Sequence, residues 1–240
     1  MPRLSPTTVI ATASARLMRG SLATVAPPER FADAHRLEST AVATEHYFSA
    51  DPSSTQDRRT ITVRLADRDL RVVTAGGTFS PDHLDTGTRV LLDEVPAPPP
   101  AGALLDLGCG WGPIALTLGL LSPGADVYAV EVNERALGLA RENAAALGLD
   151  RVLACRPEDV DPQIRFATIW SNPPIRVGKA VLHDLLATWL PRLEPDGTAY
   201  LVVAKQLGAD SLARWIEHDL GMPCRRLAIA RGFRVLAVSR

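Results

Sequence analysis

From residue 60 onward the apolar positions change period repeatedly, and each change marks an element. "TITVRLADRDLRVVTA" (60–75) alternates apolar and polar residues on both sides of Asp67-Arg68-Asp69, the pattern of a hairpin with a polar turn. "GGTFSPDHLDTGTRVLLDEV" reads as a glycine-rich turn, a loop, and a helix beginning near Thr86. "PAPPPAG" (96–102) is a stiff, polyproline-like spacer.

Beyond the spacer the alternation becomes regular. "ALLDLGCGWG" is a buried strand running into a glycine-rich turn, and "PIALTLGLL" is a helix opened by Pro113 at a favourable first position. "ADVYAVEV" is a strand, and "NERALGLARENAAALGL" a helix with Asn133 as its cap. "RVLACR" and "FATIWS" are strands, "KAVLHDLLATWLPRL" a helix, "GTAYLVVA" a strand and "ADSLARWIEHDL" a helix. The end, "CRRLAIARGFRVLAVSR", reads as two strands around Arg231-Gly232. Alternation of this kind predicts an α/β fold: a doubly wound, mainly parallel Rossmann-like sheet with an antiparallel edge at the carboxyl end. The expected organisation is a poorly ordered extension over 1–44, a β-hairpin and lead-in helix over 45–96, and the main domain over 97–240.

Composition narrows the function classes. With 46% hydrophobic and 22% charged residues the chain suits a globular domain, and no eighteen-residue apolar run offers a membrane span. A formal net charge of −1 argues against coating nucleic acid by bulk charge. Up to Pro28 there is no acidic residue, while Arg3, Arg16 and Arg19 sit among Ala, Ser and Thr. That opening suits a mobile tail, an organellar targeting peptide, or a start codon placed too early. Cys109, Cys155 and Cys224 lack metal or redox spacing and are expected as reduced cytoplasmic thiols. His35, His46, His83, His183 and His218 show no ligand spacing, so no metal is expected. Trp111, Trp170, Trp189 and Trp215 are expected to pack in or beside the core.

The first turn, Asp106-Leu107-Gly108-Cys109-Gly110-Trp111-Gly112-Pro113, holds the first candidate chemistry. A dinucleotide loop would need glycine where Pro113 stands, and Asp106 would repel a pyrophosphate. The same carboxylate suits a ligand carrying an ammonium and a sulfonium, as S-adenosylmethionine does. Glu131, followed by Val132, ends the next strand, where a carboxylate can accept both ribose hydroxyls. After the third strand, Glu158 and Asp159 stand where an adenine amine would be bound, with Asp159 preferred. The competing reading is a tight strand–helix connection with solvated acids.

"IWSNPPIRVGK" (169–179) is the second candidate. A strand ends in Asn172-Pro173-Pro174, and two prolines force a rigid, extended kink. Methyl transfer to nitrogen is an in-line displacement that needs a lone pair aimed at the methyl carbon. The Asn172 side-chain oxygen and the Pro173 carbonyl can each accept one N–H of an amine, and stiff prolines pre-organise both acceptors.

Asp106–Gly112, Glu131 and Asn172-Pro173-Pro174 together resemble the amino-methyltransferases of the class I S-adenosylmethionine-dependent fold. Within them, "GTFSPDHLDTGTRVLL" and "SNPPIRVGK" resemble the family that methylates the exocyclic amine of guanine in small-subunit ribosomal RNA. The resemblance covers roughly residues 45–240. It implies that Phe79, Ser80, Asp85, Gly87 and Thr88 lie over the cofactor and target base. Gly108, Cys109, Gly110 and Gly112 would line the cofactor, and Pro174, Ile175, Arg176 and Lys179 the substrate. It further implies a cytoplasmic enzyme, expected as a monomer, with ribosomal RNA or the small subunit as partner. Larger members carry a degenerate second half at the amino end, which this chain is too short to hold.

Two departures qualify the expectation. The residue after the second proline is usually Tyr or Phe, stacking on the base, and here it is Ile175. Phe79 or the Arg176 guanidinium could replace that stacking, where base–aromatic contact is worth roughly 1–3 kcal/mol. The near-neutral charge leaves only a local rim of Arg176, Lys179, Arg58 and Arg59 to meet phosphates, or else these are scattered solvated cations. Competing readings are the same chemistry on a protein glutamine, adenine or small-molecule amine, and a non-catalytic cofactor-binding module.

Overall fold

Strands β1 (Arg58–Leu65) and β2 (Arg68–Ala75) pair antiparallel around a two-residue loop, Ala66-Asp67. The computed structural model describes residues 57–240, so the expectation for residues 1–44 and the amino end of the 45–96 segment lies outside it. The Arg176 side chain is likewise outside the described residues. Both loop residues have positive φ, 46° and 59°, as the right-twisted strands of a tight hairpin require. The turn therefore precedes the expected Asp67-Arg68-Asp69, because alanine gives no sequence signal for a left-handed backbone.

Helix α1 (Thr86–Glu94) begins where expected, capped by Asp85, whose side chain accepts the Thr88 N–H. Seven strands follow: β3 (Ala101–Leu107), β4 (Gly124–Val130), β5 (Val152–Cys155), β6 (Phe166–Ser171), β7 (Leu193–Ala204), β8 (Cys224–Ala230) and β9 (Phe233–Ser239). Four helices lie between them: α2 (Pro113–Leu121), α3 (Glu134–Ala146), α4 (Lys179–Trp189) and α5 (Ala209–His218). The sheet order is β5-β4-β3-β6-β7-β9-β8, with β9 antiparallel to both of its neighbours and the rest parallel. The doubly wound architecture with an antiparallel edge is as the alternation predicts.

The junction between α4 and β7 differs most from the expectation. The helix expected to run to Leu193 stops at Trp189, and Leu190–Arg192 forms a 3₁₀ turn. Pro191 cannot supply the N–H that a further α-turn needs. Strand β7 starts immediately at Leu193 and absorbs the Pro195-Asp196-Gly197 irregularity through a register shift against β6.

Apolar packing explains the hairpin's place. Val63, Leu65 and Val72 are buried with Trp111, Leu116 and Leu139 of the main domain. Burial of each such aliphatic side chain contributes about 1.5–3 kcal/mol. Asn143, on α3, completes the attachment: its carboxamide accepts the Val73 N–H (2.7 Å) and donates to the Val73 and Trp111 carbonyls (3.0 and 3.1 Å). The hairpin and the glycine-rich turn are thus held to one helix. Trp111, Trp170 and Trp189 are buried, and Trp215 is partly buried against the larger core cluster, where it stacks on His183. No helix among the described residues is long and apolar enough to cross a membrane.

Candidate active site

Parallel sheets bind ligands beyond the carboxyl ends of their strands, where the strand order reverses. Here that point lies between β3 and β6, and the Ser171 hydroxyl donates to the Leu107 carbonyl (2.7 Å), tying the two strand ends together. Asp106 and Asn172 are carried by those two ends.

Asp106 is fully buried. Its Oδ2 accepts the Ala115 N–H at the start of α2 (2.8 Å), while Oδ1 has no partner among the described residues. Burial pushes the carboxyl up to about 8; the Ala115 N–H opposes this and the Glu131 charge adds to it. A buried acceptor raised in this way favours a cationic ligand, whose ammonium both donates to Oδ1 and stabilises the ionised form. The turn itself is tightly built. Gly112 has φ 99°, and a Cβ there would meet Ala140 of α3 at 3.3 Å, so only glycine lets the two helices approach.

Glu131 closes the turn from the other side. Its Oε1 accepts from Val132 and Asn133 N–H (2.8 and 3.0 Å), and its Oε2 from Gly110 N–H (3.0 Å). A carboxylate offers about four acceptor sites, so one remains at Oε2. One ribose hydroxyl fits this arrangement directly; a second requires Gly110 N–H to give way. Val132 contributes its backbone N–H to this clamp. Cys109 is buried, its thiol pushed well up by burial, and Cys155 and Cys224 are, like it, free thiols.

The loop between β2 and α1 lies against this turn. Asn133 Nδ2 and Arg135 Nη1 donate to the Gly77 and Gly76 carbonyls (3.3 and 2.8 Å), and Trp111 Nε1 donates to the Ser80 carbonyl (3.3 Å). Phe79, 38% exposed, places its Cβ 4.0 Å from where a Cβ on Gly110 would stand. Ser80 sits at φ 47° and gives its hydroxyl to the His83 carbonyl (2.8 Å), so its side chain serves the loop's own shape.

On the far side, Glu158 is held by Arg156 (2.5 Å), which also pairs with Glu134 and keeps the Glu158 carboxyl below its usual range. Among the described residues, Asp159 is hydrogen-bonded by the Arg156 N–H at 3.4 Å. Of the two acids, Asp159 keeps more of its acceptor capacity.

The Asn172-Pro173-Pro174 kink has a definite geometry. The Ile175 N–H donates to the Pro173 carbonyl (2.9 Å) across Pro174 at φ −75°, ψ 77°, an inverse γ-turn. Proline fixes the φ that this turn requires. The Pro173 carbonyl retains its second lone pair. The Asn172 carboxamide donates through Nδ2 to Asp85 Oδ2 (2.8 Å) and Thr88 Oγ1 (3.0 Å). Ile175 packs against the core, Pro174 is half-buried, and Lys179 is exposed at the start of α4.

The proposed phosphate rim is reduced. Arg58 pairs with Glu142, and Arg59 with both Asp57 and Asp82, so their charges are already compensated on the protein. No group of three or more potential metal ligands occurs among the described residues. The links from Asn133, Arg135 and Asn143 into the hairpin and its loop have no local signature in the sequence, apart from Asn143, a carboxamide on the apolar face of α3.

Comparison with known proteins identifies the family. Residues 69–237 match the family model described as methyltransferase small domain. An uncharacterised protein, YbxB of Bacillus subtilis, is 36% identical over 177 residues, covering 72% of this chain and 88% of that protein. Ribosomal RNA small subunit methyltransferase C of Pseudomonas aeruginosa is 37% identical over 181 residues, covering 73% of this chain and 53% of its own length. Among solved structures, the Thermus thermophilus 16S rRNA N2 G1207 methyltransferase, in complex with AdoMet and guanosine, superposes with a TM-score of 0.65 at 25% identity. That likeness covers 78% of this chain and 51% of the other. The chain thus spans about half the length of the ribosomal RNA methyltransferases it matches.

Proposed function

Because the chain belongs to the methyltransferase small domain family of S-adenosylmethionine-dependent enzymes, we propose that it methylates the exocyclic amine of a guanine in small-subunit ribosomal RNA. The observation that carries this reading is the Asn172 carboxamide at the end of β6. Its two donors are taken up by Asp85 and Thr88, so its oxygen is left to accept an N–H.

When bound, S-adenosylmethionine supplies an electrophilic methyl group. Asp106 Oδ1 would hold the ammonium of its methionine end, Glu131 Oε2 a ribose hydroxyl, and Asp159 the adenine amine. Asn172 Oδ1 and the free lone pair of the Pro173 carbonyl accept the two N–H bonds of the guanine amine. That fixes the nitrogen and draws its lone pair out of conjugation toward the methyl carbon. The nitrogen–carbon bond forms as the carbon–sulfur bond breaks, and the added positive charge leaves as a proton from the nitrogen.

A base stacked in a duplex cannot offer its amine to the Asn172 and Pro173 acceptors, so the target guanine is splayed out of its helix or drawn from an unpaired loop. With Ile175 partly buried against the core, the stacking face falls to Phe79 or to the Arg176 guanidinium. Support for the substrate comes from the names of the relatives and of the AdoMet–guanosine complex. Transfer of labelled methyl to small ribosomal subunits from cells lacking the gene, followed by digestion to nucleosides, tests it. Label as N2-methylguanosine supports the proposal, and label confined to protein or to other nucleosides rejects it.

A further inference from the structure

We propose that the Asp85-x-Gly87-Thr88 segment is a positioning device that fixes which way round the Asn172 carboxamide points. The inference rests on Asn172 acting as the acceptor of a substrate N–H. A carboxamide is nearly symmetric in shape, and its two orientations differ only in exchanging an oxygen for an NH2 group. For an acceptor this exchange is decisive, because the wrong orientation presents two donors to an amine that is itself a donor.

Asp85 and Thr88 remove the ambiguity. Asp85 Oδ2 and Thr88 Oγ1 accept the two N–H bonds of Asn172 at 2.8 and 3.0 Å. A carboxylate only accepts. Turning the carboxamide over would cost both hydrogen bonds and set its oxygen against the Asp85 carboxylate. Oδ1 is therefore held on the side away from Asp85.

The rest of the segment serves the same contact. Asp85 Oδ2 also accepts the Thr88 N–H (3.0 Å) as the cap of α1, so the helix start holds that oxygen in place. A Cβ at Gly87 would stand 3.0 Å from the same Oδ2 and 2.9 Å from the Phe233 ring. Glycine at this position gives Asp85 the space to reach Asn172. Thr88 is buried, which keeps water from competing for the second donor. The three residues that the family resemblance sets over the cofactor and base thus act, on this geometry, through Asn172.

The test uses the chain as it stands in three variants. D85S keeps a good helix cap, since serine and aspartate cap about equally well, but its shorter side chain withdraws the acceptor from Asn172. T88V removes the second acceptor, and T88S preserves it. Two readouts are taken: hydrogen exchange of the 15N-labelled Asn172 side-chain amide, assigned by its loss in N172D, and methyl transfer to small ribosomal subunits. In D85S and T88V we expect amide protection to fall at least tenfold, roughly the loss of one hydrogen bond. In D85S, kcat should fall by about 10- to 100-fold through misorientation. KM for the subunits and affinity for S-adenosylmethionine should stay within about twofold. T88S should behave as the parent. Unchanged kcat in D85S, or a loss that lies wholly in cofactor affinity, overturns the inference. Should the parent protein transfer no methyl to small subunits, the proposed function fails, and the amide exchange alone decides this inference. Protection lost in D85S then supports it and protection retained overturns it.

Discussion

Asp106 accepts the Ala115 N–H through Oδ2 at 2.8 Å while its Oδ1, equally buried, has no partner among the described residues. A carboxyl group so placed is raised to about 8, chiefly by burial. In the folded protein it therefore holds its proton across a range where the unfolded chain, with an ordinary value of 3.8, has lost it. The folded state binds more protons between those limits, so this group makes stability fall as pH rises from about 4 to about 8.

A cationic ligand reverses that trend, because the ammonium binds the ionised carboxylate and expels the proton. Affinity for S-adenosylmethionine should rise from pH 5.5 to 7, by up to about tenfold per unit, until the ligand's own amine begins to lose its proton near 8. Calorimetry in buffers of differing ionisation enthalpy should record proton release on binding. D106N should bind weakly with no rise over this range. An equal rise in D106N would assign the pH dependence to another group.

Glu131 joins Val132, Asn133 and Gly110 through three backbone N–H bonds. E131Q can keep an oxygen toward Val132 and Asn133 only by turning its NH2 toward the Gly110 N–H, donor against donor. Hydrogen bonds to a charged group are worth about 1.5–3 kcal/mol, so cofactor affinity should fall about 10- to 100-fold. Equilibrium binding measures this, and an unchanged Kd would show that the turn does not depend on the clamp.

The residues that can be read from the chain are those whose chemistry is local. Asp106 and Glu131 each stand at the carboxyl end of a buried apolar strand, so the same pattern that predicts the strand places the carboxylate at that edge of the sheet. Asn172 is announced by the two prolines behind it. Contacts between distant segments leave no such trace. The Asp85–Asn172 bond joins the helix before the sheet to its fourth parallel strand, and only the folded topology brings them together. Arg58 and Arg59 illustrate the converse: as sequence they are cations ahead of a hairpin, and in the fold they are matched by Glu142, Asp57 and Asp82. The hairpin turn starts one residue before the Asp67-Arg68-Asp69 pattern suggests, because Ala66 adopts a left-handed backbone that its residue type does not signal.

Asn143 bonds the Val73 backbone on both sides and the Trp111 carbonyl. N143L fills similar volume and leaves three backbone groups unpaired, one buried and two partly buried, at a cost of about 3 kcal/mol. The melting temperature should drop by about 6–12 °C. A melting temperature within a degree of the parent would mean that water or a shifted backbone satisfies those groups.

The most direct test of the whole account is the rate of methyl transfer from S-adenosylmethionine to small ribosomal subunits lacking the modification, compared between the parent and N172A. Large subunits and a protein extract serve as controls, and cofactor affinity is measured in both proteins. The account predicts N2-methylguanosine in small-subunit RNA from the parent. It predicts a loss of at least about 100-fold in N172A, the scale of removing one fixed transition-state contact, with cofactor affinity retained. Equal rates in the two proteins would contradict the role of Asn172, and no labelled guanosine from a cofactor-binding parent would contradict the proposed substrate.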